Sequence, residues 1–185
     1  MSNHDRQHWD ERHRDAAGLN ARASVLALPK AADAAALALD IACGQGRHTL
    51  ALMRAGYGVV AMDVSMRALH HLRAAAADVG GGNLLAVHAD VDAWPFAAGA
   101  FDLVVQIDFL DRRLFAPIRA SLRQDGLLLI DTFLDQGRRN LEGPSRPDFL
   151  LSAGELPRAF PDFDLVRYEE RRGDTARAML LARKC

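Results

Sequence analysis

From about residue 37 the chain alternates between short apolar runs and stretches whose apolar side chains recur three and four residues apart. "ALALDIA" (36–42) predicts a first strand and "RHTLALMRA" (47–55) the helix after it, with Gly56 placed as a helix stop. "YGVVAMD" (57–63) predicts a second strand. Ser65 is positioned to cap a helix through residue 79, in which Leu69, Leu72, Ala76 and Val79 share one face, and Gly80 to Asn83 end it. "LLAVHA" (84–89) and "FDLVVQI" (101–107) predict strands three and four. "RRLFAPIRASLRQ" (112–124) has amphipathic helical spacing, and Asp125-Gly126 turns it into a fifth strand, "LLLIDTF" (127–133). Strands alternating with helices predict βαβ units and a mainly parallel sheet.

After residue 133 the pattern changes. "LDQGRRNLEGPSRPDF" (134–149) has no clear periodicity and is longer than an ordinary connection, which makes it a candidate lid or substrate loop. A short helix near 152–159 follows, then "FDLVRYEE" and "TARAMLLAR", with Gly173-Asp174 between them, predicting an antiparallel hairpin. Residues 1–35 read as a helical cap anchored by Trp9, placed to pack over the first strand's carboxyl end. The whole of 1–185 is expected to be one domain, this cap plus a core over 36–185.

Composition narrows the function classes. Half of the 185 residues are apolar and a quarter are charged, with a formal net charge of −1. That balance supplies no basic field for a nucleic-acid backbone. No apolar run reaches membrane-spanning length, and the polar opening "MSNHDRQHWDERHRD" has no apolar core of a secretory signal. Cys43 and Cys185, the two cysteines, are poorly placed for a structural disulfide, so a cytoplasmic location is expected.

The candidate chemistry starts in the turn after the first strand. Closely spaced glycines there let a ligand approach the backbone at the carboxyl end of the sheet. Gly44 and Gly46 match the first two glycines of a dinucleotide loop, but Thr49 stands at the third, and no Gly-Lys-Ser/Thr follows to make a phosphate loop. Asp63, at the end of the second strand, can accept from both hydroxyls of a ribose, a feature shared by several nucleoside sites.

Counted from the acid, Asp40-Ile41-Ala42-Cys43-Gly44-Gln45-Gly46 resembles motif I of class I S-adenosylmethionine-dependent methyltransferases, with Ala42 in place of the usual first glycine. "AFDLVVQIDFLDR" and "LRQDGLLLIDTF" resemble the fourth- and fifth-strand segments of the same superfamily, although Gln124-Asp125-Gly126 departs from its Pro-Gly-Gly. Within the superfamily, "ACGQGRH", "GYGVVAMDVS", "FLDR", "DTFL" and "RPDFLLSAGEL" are similar to the compact bacterial tellurite-resistance and thiopurine-type enzymes. The resemblance implies a Rossmann-like α/β fold, a seven-stranded mainly parallel sheet closed by an antiparallel hairpin, with helices on both faces. It implies S-adenosylmethionine as cofactor, met by Asp40, Ala42, Cys43, Gly44 and Gly46, by Asp63 and Val64 at the ribose, by Asp90 and Val91 at the adenine, and by Gln106. Trp9 to His13 resembles a family element that covers the cofactor, which adds Trp9.

The implied reaction is in-line displacement of the sulfonium methyl by a small-molecule acceptor. A thiolate or heavy-chalcogen oxyanion needs no strong base, whereas a hydroxyl or protonated amine does. Asp108, just past the fourth strand, is the candidate for that base, or else a hydrogen-bonding partner of the methionine part or of local backbone. His48, Arg112 and Arg138 are candidate acceptor contacts, with a loop hydrogen bond, a helix cap and solvated loop charge as their structural alternatives. Arg139 joins Arg138 in that reading. No metal is expected, since His4, His8 and His13 lack a matching ligand pair and the carboxylates at 108, 111 and 131 are a weak match to a Mg²⁺ site. Three functions compete: an active small-molecule methyltransferase, a module that binds S-adenosylmethionine without turnover, and a nicotinamide-dependent oxidoreductase. Nucleic-acid methylation lacks both a basic stripe and the Asn/Asp-Pro-Pro-aromatic segment. The oligomeric state is not readable from these patterns.

Overall fold

A computed structural model describes residues 10, 11, 13, 20–79, 83–94, 96–137 and 139–185. Trp9, Arg138 and the glycines at 80–82 lie outside the described residues. The described strands form a seven-stranded sheet. By contacts, the chain divides into two compact units, residues 1–96 and 97–185.

In the first unit, β1 (Leu37–Ile41), β2 (Gly58–Asp63) and β3 (Leu84–His88) are parallel neighbours, with Asp40 opposite Ala61 and Asp63 opposite His88. β1 and β2 are buried almost throughout, as strands covered on both faces must be, and so their sequences read as continuous apolar runs. β3 is an edge strand and only partly covered, with Leu85 exposed. A short helix, α1 (Ala23–Leu26), inserts Val25 into the core, the one buried residue of that helix. Helix α2 (Arg47–Arg54) follows β1 and ends as predicted before Gly56, whose φ of 96° suits a residue without a Cβ.

Helix α3 (Met66–Ala76) begins at Ser65, whose hydroxyl accepts from the Ala68 N–H. Its buried residues, Ala68, Leu69 and Leu72, form one stripe at helical spacing. Leu72 and Leu69 pack with Cys43 and Ala61, and burying each leucine contributes about 1.5–3 kcal/mol. The helix stops three residues earlier than the pattern predicts. Beyond Leu72 none of its side chains is fully buried, so packing does not hold a further turn.

In the second unit, β4 (Phe101–Ile107) pairs in parallel with β5 (Leu122–Phe133). Here the structure departs from the sequence pattern. The predicted helix over 112–124 is a 3₁₀ turn (Arg112–Leu114) followed by α4 (Phe115–Ser121), and the strand has already begun at Leu122. Tertiary pairing overrides the helical spacing: Leu122 lies opposite Phe101, and the Lys184 ammonium donates to the carbonyls of Arg119 and Leu122. Asp125-Gly126 is consequently an irregularity within β5, with Asp125 at φ 62° and the register resuming at Leu103 opposite Leu127.

β7 (Arg177–Lys184) runs antiparallel to both β5 and β6 (Phe163–Arg171), which is the predicted terminal hairpin. The segment after β5 is fastened rather than loose at its centre. Asn140 is buried, its Oδ1 accepting from Ala176 N–H and Gln136 Nε2 and its Nδ2 donating to the Leu134 carbonyl. Leu134 bridges to Leu151, after which comes α5 (Glu155–Ala159).

Candidate active site

The first unit collects two buried carboxylates around the glycine turn. Asp40 is 1% exposed and Asp63 8%. The Thr49 hydroxyl donates to Asp40 Oδ2 at 2.6 Å, so the residue that replaces the third dinucleotide glycine orients the motif acid. Burial, opposed by the Thr49 hydrogen bond and reinforced by the charge of Asp63, pushes the Asp40 carboxyl up to about 7. Burial also raises Asp63, against the backbone N–H groups of Ser65 and Gly44, which donate to its Oδ1 and Oδ2 at 2.8 and 2.7 Å. The turn and the end of β2 are thereby joined through one carboxylate.

In the turn after Asp40 the backbone enters the left-handed region at every second residue, with φ of 54° at Ala42, 55° at Gly44 and 84° at Gly46. Ala42 is therefore less mild a replacement for glycine than its size suggests, because a left-handed non-glycine residue costs about 1–2 kcal/mol. Gly46 is required for packing: a Cβ there would stand 2.2 Å from Leu72 Cδ1. Cys43 donates its N–H to the Met62 carbonyl, and its thiol is raised well above its usual range by burial and then by Asp40 and Asp63. It packs in the core with Ala61, Leu69 and Leu72.

The remaining first-unit candidates have local roles. The Val64 carbonyl meets His88 Nε2 at 3.0 Å. Asp90 Oδ1 accepts from the Asp92 N–H at 3.1 Å and caps the 3₁₀ turn that Val91 begins, with Val91 buried. His48 is buried on α2. Two residues of the segment from Trp9 to His13, whose resemblance pointed toward the cofactor, are placed in this unit, Asp10 at the start of α3 and His13 against the glycine turn. Asp10 Oδ1 accepts from the Ser65 hydroxyl at 2.5 Å and from the Arg67 N–H at 3.2 Å, and a Cβ on Gly44 would lie 3.4 Å from His13 Cε1.

In the second unit, Gln106 is fully buried, and among the described residues neither its Oε1 nor its Nε2 has a hydrogen-bond partner. Asp108 sits past the end of β4 at φ 58° and donates its N–H to the Asp131 carbonyl. Its Oδ1 lies 2.7 Å from Arg177 Nη2, and the same guanidinium donates to Asp131 Oδ1 and stacks over Phe133. Arg177 carried no sequence signal, because the pairing of β5 with β7 is what brings it opposite Phe133. Arg112 is committed to structure: its Nε and Nη2 hold the Glu155 carboxylate, and Nη1 and Nη2 donate to the carbonyls of Asp148 and Leu150. Arg139 is exposed.

Comparison with known proteins follows the same lines as this geometry. The family profile for a methyltransferase domain matches residues 38–126, which contain the acid–glycine turn, Asp63 and Asp90. Over that span, just under half of the chain, it is similar to methyltransferase domains. A curated relative, hemagglutinin 1 of Eikenella corrodens, is 32% identical over 143 residues, covering 71% of this chain and 45% of its own length, so the chain spans about half of that relative. TehB of Haemophilus influenzae has a similar structure, with a TM-score of 0.73 at 20% identity over 97% of this chain and 67% of its own. A Methanosarcina mazei S-adenosylmethionine-dependent methyltransferase gives 0.71 at 18% identity, with coverages of 90% and 99%. At those identities the structural likeness establishes the fold, the Rossmann-like class I methyltransferase fold expected from the motifs. The matched domain and these neighbours together support S-adenosylmethionine as the cofactor of the methyltransferase domain. Among the described residues no helix is long and apolar enough to cross a membrane.

Proposed function

We propose that this chain is a cytoplasmic enzyme that transfers a methyl group from S-adenosylmethionine to a small-molecule acceptor. The observation that carries the cofactor assignment is the pair of buried carboxylates flanking the left-handed turn. Burial disfavours both in their ionised forms. A ligand bringing an ammonium, a sulfonium and hydroxyl donors offsets that cost, whereas a dinucleotide would bring two phosphate charges toward two acids. The residues present therefore fit S-adenosylmethionine and oppose the oxidoreductase reading.

Asp40, held by Thr49, faces the amino-acid moiety in this reading, and Asp63, held by Gly44 and Ser65, accepts from the ribose hydroxyls. Asp90 and the N–H of Val91 meet the adenine. S-adenosylmethionine, when bound, supplies a methyl already activated by the sulfonium charge. The protein then contributes alignment and exclusion of water. Asp108, clamped by Arg177, serves the acceptor side: it accepts a proton from an acceptor that carries one and is dispensable for a thiolate.

Calorimetry with S-adenosylhomocysteine and with NAD at one pH tests the cofactor assignment. Micromolar binding of the first and none of the second is expected, and absence of S-adenosylhomocysteine binding overturns it. Transfer of tritium from labelled S-adenosylmethionine across thiols, heavy-chalcogen oxyanions and small amines tests turnover. Binding with no transfer to any class would leave a binding module in place of an enzyme.

A further inference from the structure

Ser65 occupies a crowded position. It is fully buried, its backbone N–H donates to Asp63 Oδ1 at 2.8 Å, and its hydroxyl oxygen accepts from the Ala68 N–H at 3.1 Å. The hydroxyl proton of the same group goes to Asp10 Oδ1, 55 residues earlier in the chain. That oxygen also takes the Arg67 N–H at 3.2 Å. Asp10 is thus a second cap on the first turn of α3, beside Ser65, and an anionic acceptor suits that end of a helix. The Ser65 hydroxyl, ahead of the other contributions, holds the Asp10 carboxyl below its ordinary value.

A serine hydroxyl that both accepts and donates has its rotamer set from two sides, whereas a capping serine alone is set from one. Asp10 holds the backbone of this turn as well, through the Arg67 N–H, and in the same turn the Ser65 N–H donates to Asp63 Oδ1, so bracing the turn orients the Asp63 carboxylate. The same short stretch reaches the other partner of Asp63. His13 lies against Gly44, whose N–H donates to Asp63 Oδ2, and the charge on His13 favours the ionised form of Asp63.

We infer that Asp10 is a positioning residue of the nucleoside site, acting through Ser65 on Asp63 rather than by touching ligand. The inference rests on the assignment of Asp63 to the ribose. Asp10 and His13 then brace the two ends of the hydrogen-bonded bridge that joins the glycine turn to β2.

The test measures S-adenosylhomocysteine affinity by calorimetry for the full chain and for Asp10→Leu, Asp10→Asn, Ser65→Ala and the Asp10→Leu/Ser65→Ala pair. Asp10→Leu removes both hydrogen bonds at similar size and is expected to weaken binding about fivefold to tenfold, the scale of one to two net hydrogen bonds. Asp10→Asn keeps an oxygen acceptor at Oδ1 and is expected to stay within about twofold of wild type, which a general loss of order near the N-terminus would not reproduce. In the Ser65→Ala background, Asp10→Leu is expected to add less than about twofold, since the route to Asp63 is already cut. Wild-type affinity in Asp10→Leu, equal losses in Leu and Asn, or fully additive losses in the pair would each overturn the inference while leaving the cofactor assignment standing. A wild-type chain that binds no S-adenosylhomocysteine would instead overturn the cofactor assignment itself.

Discussion

Replacing Asp40 by Asn changes the charge of the motif acid while keeping its shape and its hydrogen bond, because an amide oxygen also accepts from the Thr49 hydroxyl. In the folded protein the Asp40 carboxyl titrates at about 7, against 3.8 when unperturbed. Between those values the folded chain holds a proton that the unfolded chain has released, so stability falls as pH rises. Three units of separation correspond to about 4 kcal/mol across the whole window, and about 3 kcal/mol of it lies between pH 5 and pH 8. Urea unfolding of both proteins without ligand, at pH values from 5 to 8, isolates the contribution as the difference between them. Asp10 and Glu170 are shifted downward instead, so their contributions are lost at acid pH and are common to both proteins. The Asn variant is expected to exceed wild type already at pH 5, and by about 3 kcal/mol more at pH 8. A difference that stays constant over that range would refute the reasoning, since it would mean that folding does not shift the Asp40 carboxyl.

Two further substitutions address the turn. Ala42→Gly relieves a left-handed alanine and is expected to stabilise the fold by about 0.5–1 kcal/mol, read as a rise of roughly 2–3 °C in Tm. A lower Tm would show that the strain at residue 42 is smaller than the entropy glycine adds to the unfolded chain. Gly46→Ala places a methyl in contact with Leu72 and is expected to cost about 2–4 kcal/mol from overpacking and backbone strain together. Combined with Leu72→Ala, it should show a loss well below the sum of the single losses. Strict additivity would mean that the methyl is accommodated elsewhere.

Much of the site is legible in the sequence because its residues sit at fixed offsets from strand ends. Asp40, the glycines and Asp63 fall where β1 and β2 deliver them, and Ser65 caps its helix as its position predicts. The roles that cannot be read there belong to pairs distant in sequence. Arg112 resembles an acceptor contact by its place after β4, but Glu155 and the carbonyls at 148 and 150 take four of its five N–H donors. Thr49 stands in the sequence as a missing glycine, and in the fold its hydroxyl lies on Asp40. The segment 134–149 has no periodicity because Asn140 holds it by side-chain hydrogen bonds, which leave no repeat in a sequence.

What the sequence determined by itself, then, is the order of strands and helices, the hairpin and the acid–glycine turn. Each is written in local spacing, since strand and helix periods, caps and turn residues act over a few positions. Tertiary structure alone decided the early start of β5, the left-handed strain at Ala42, the clash that reserves residue 46 for glycine, and the convergence of Asp10 on Ser65 and of Arg177 on Asp108. Those depend on which buried groups remain to be satisfied once the strands have paired. Desolvation turns such distant meetings into large effects, including the raised carboxyl of Asp40.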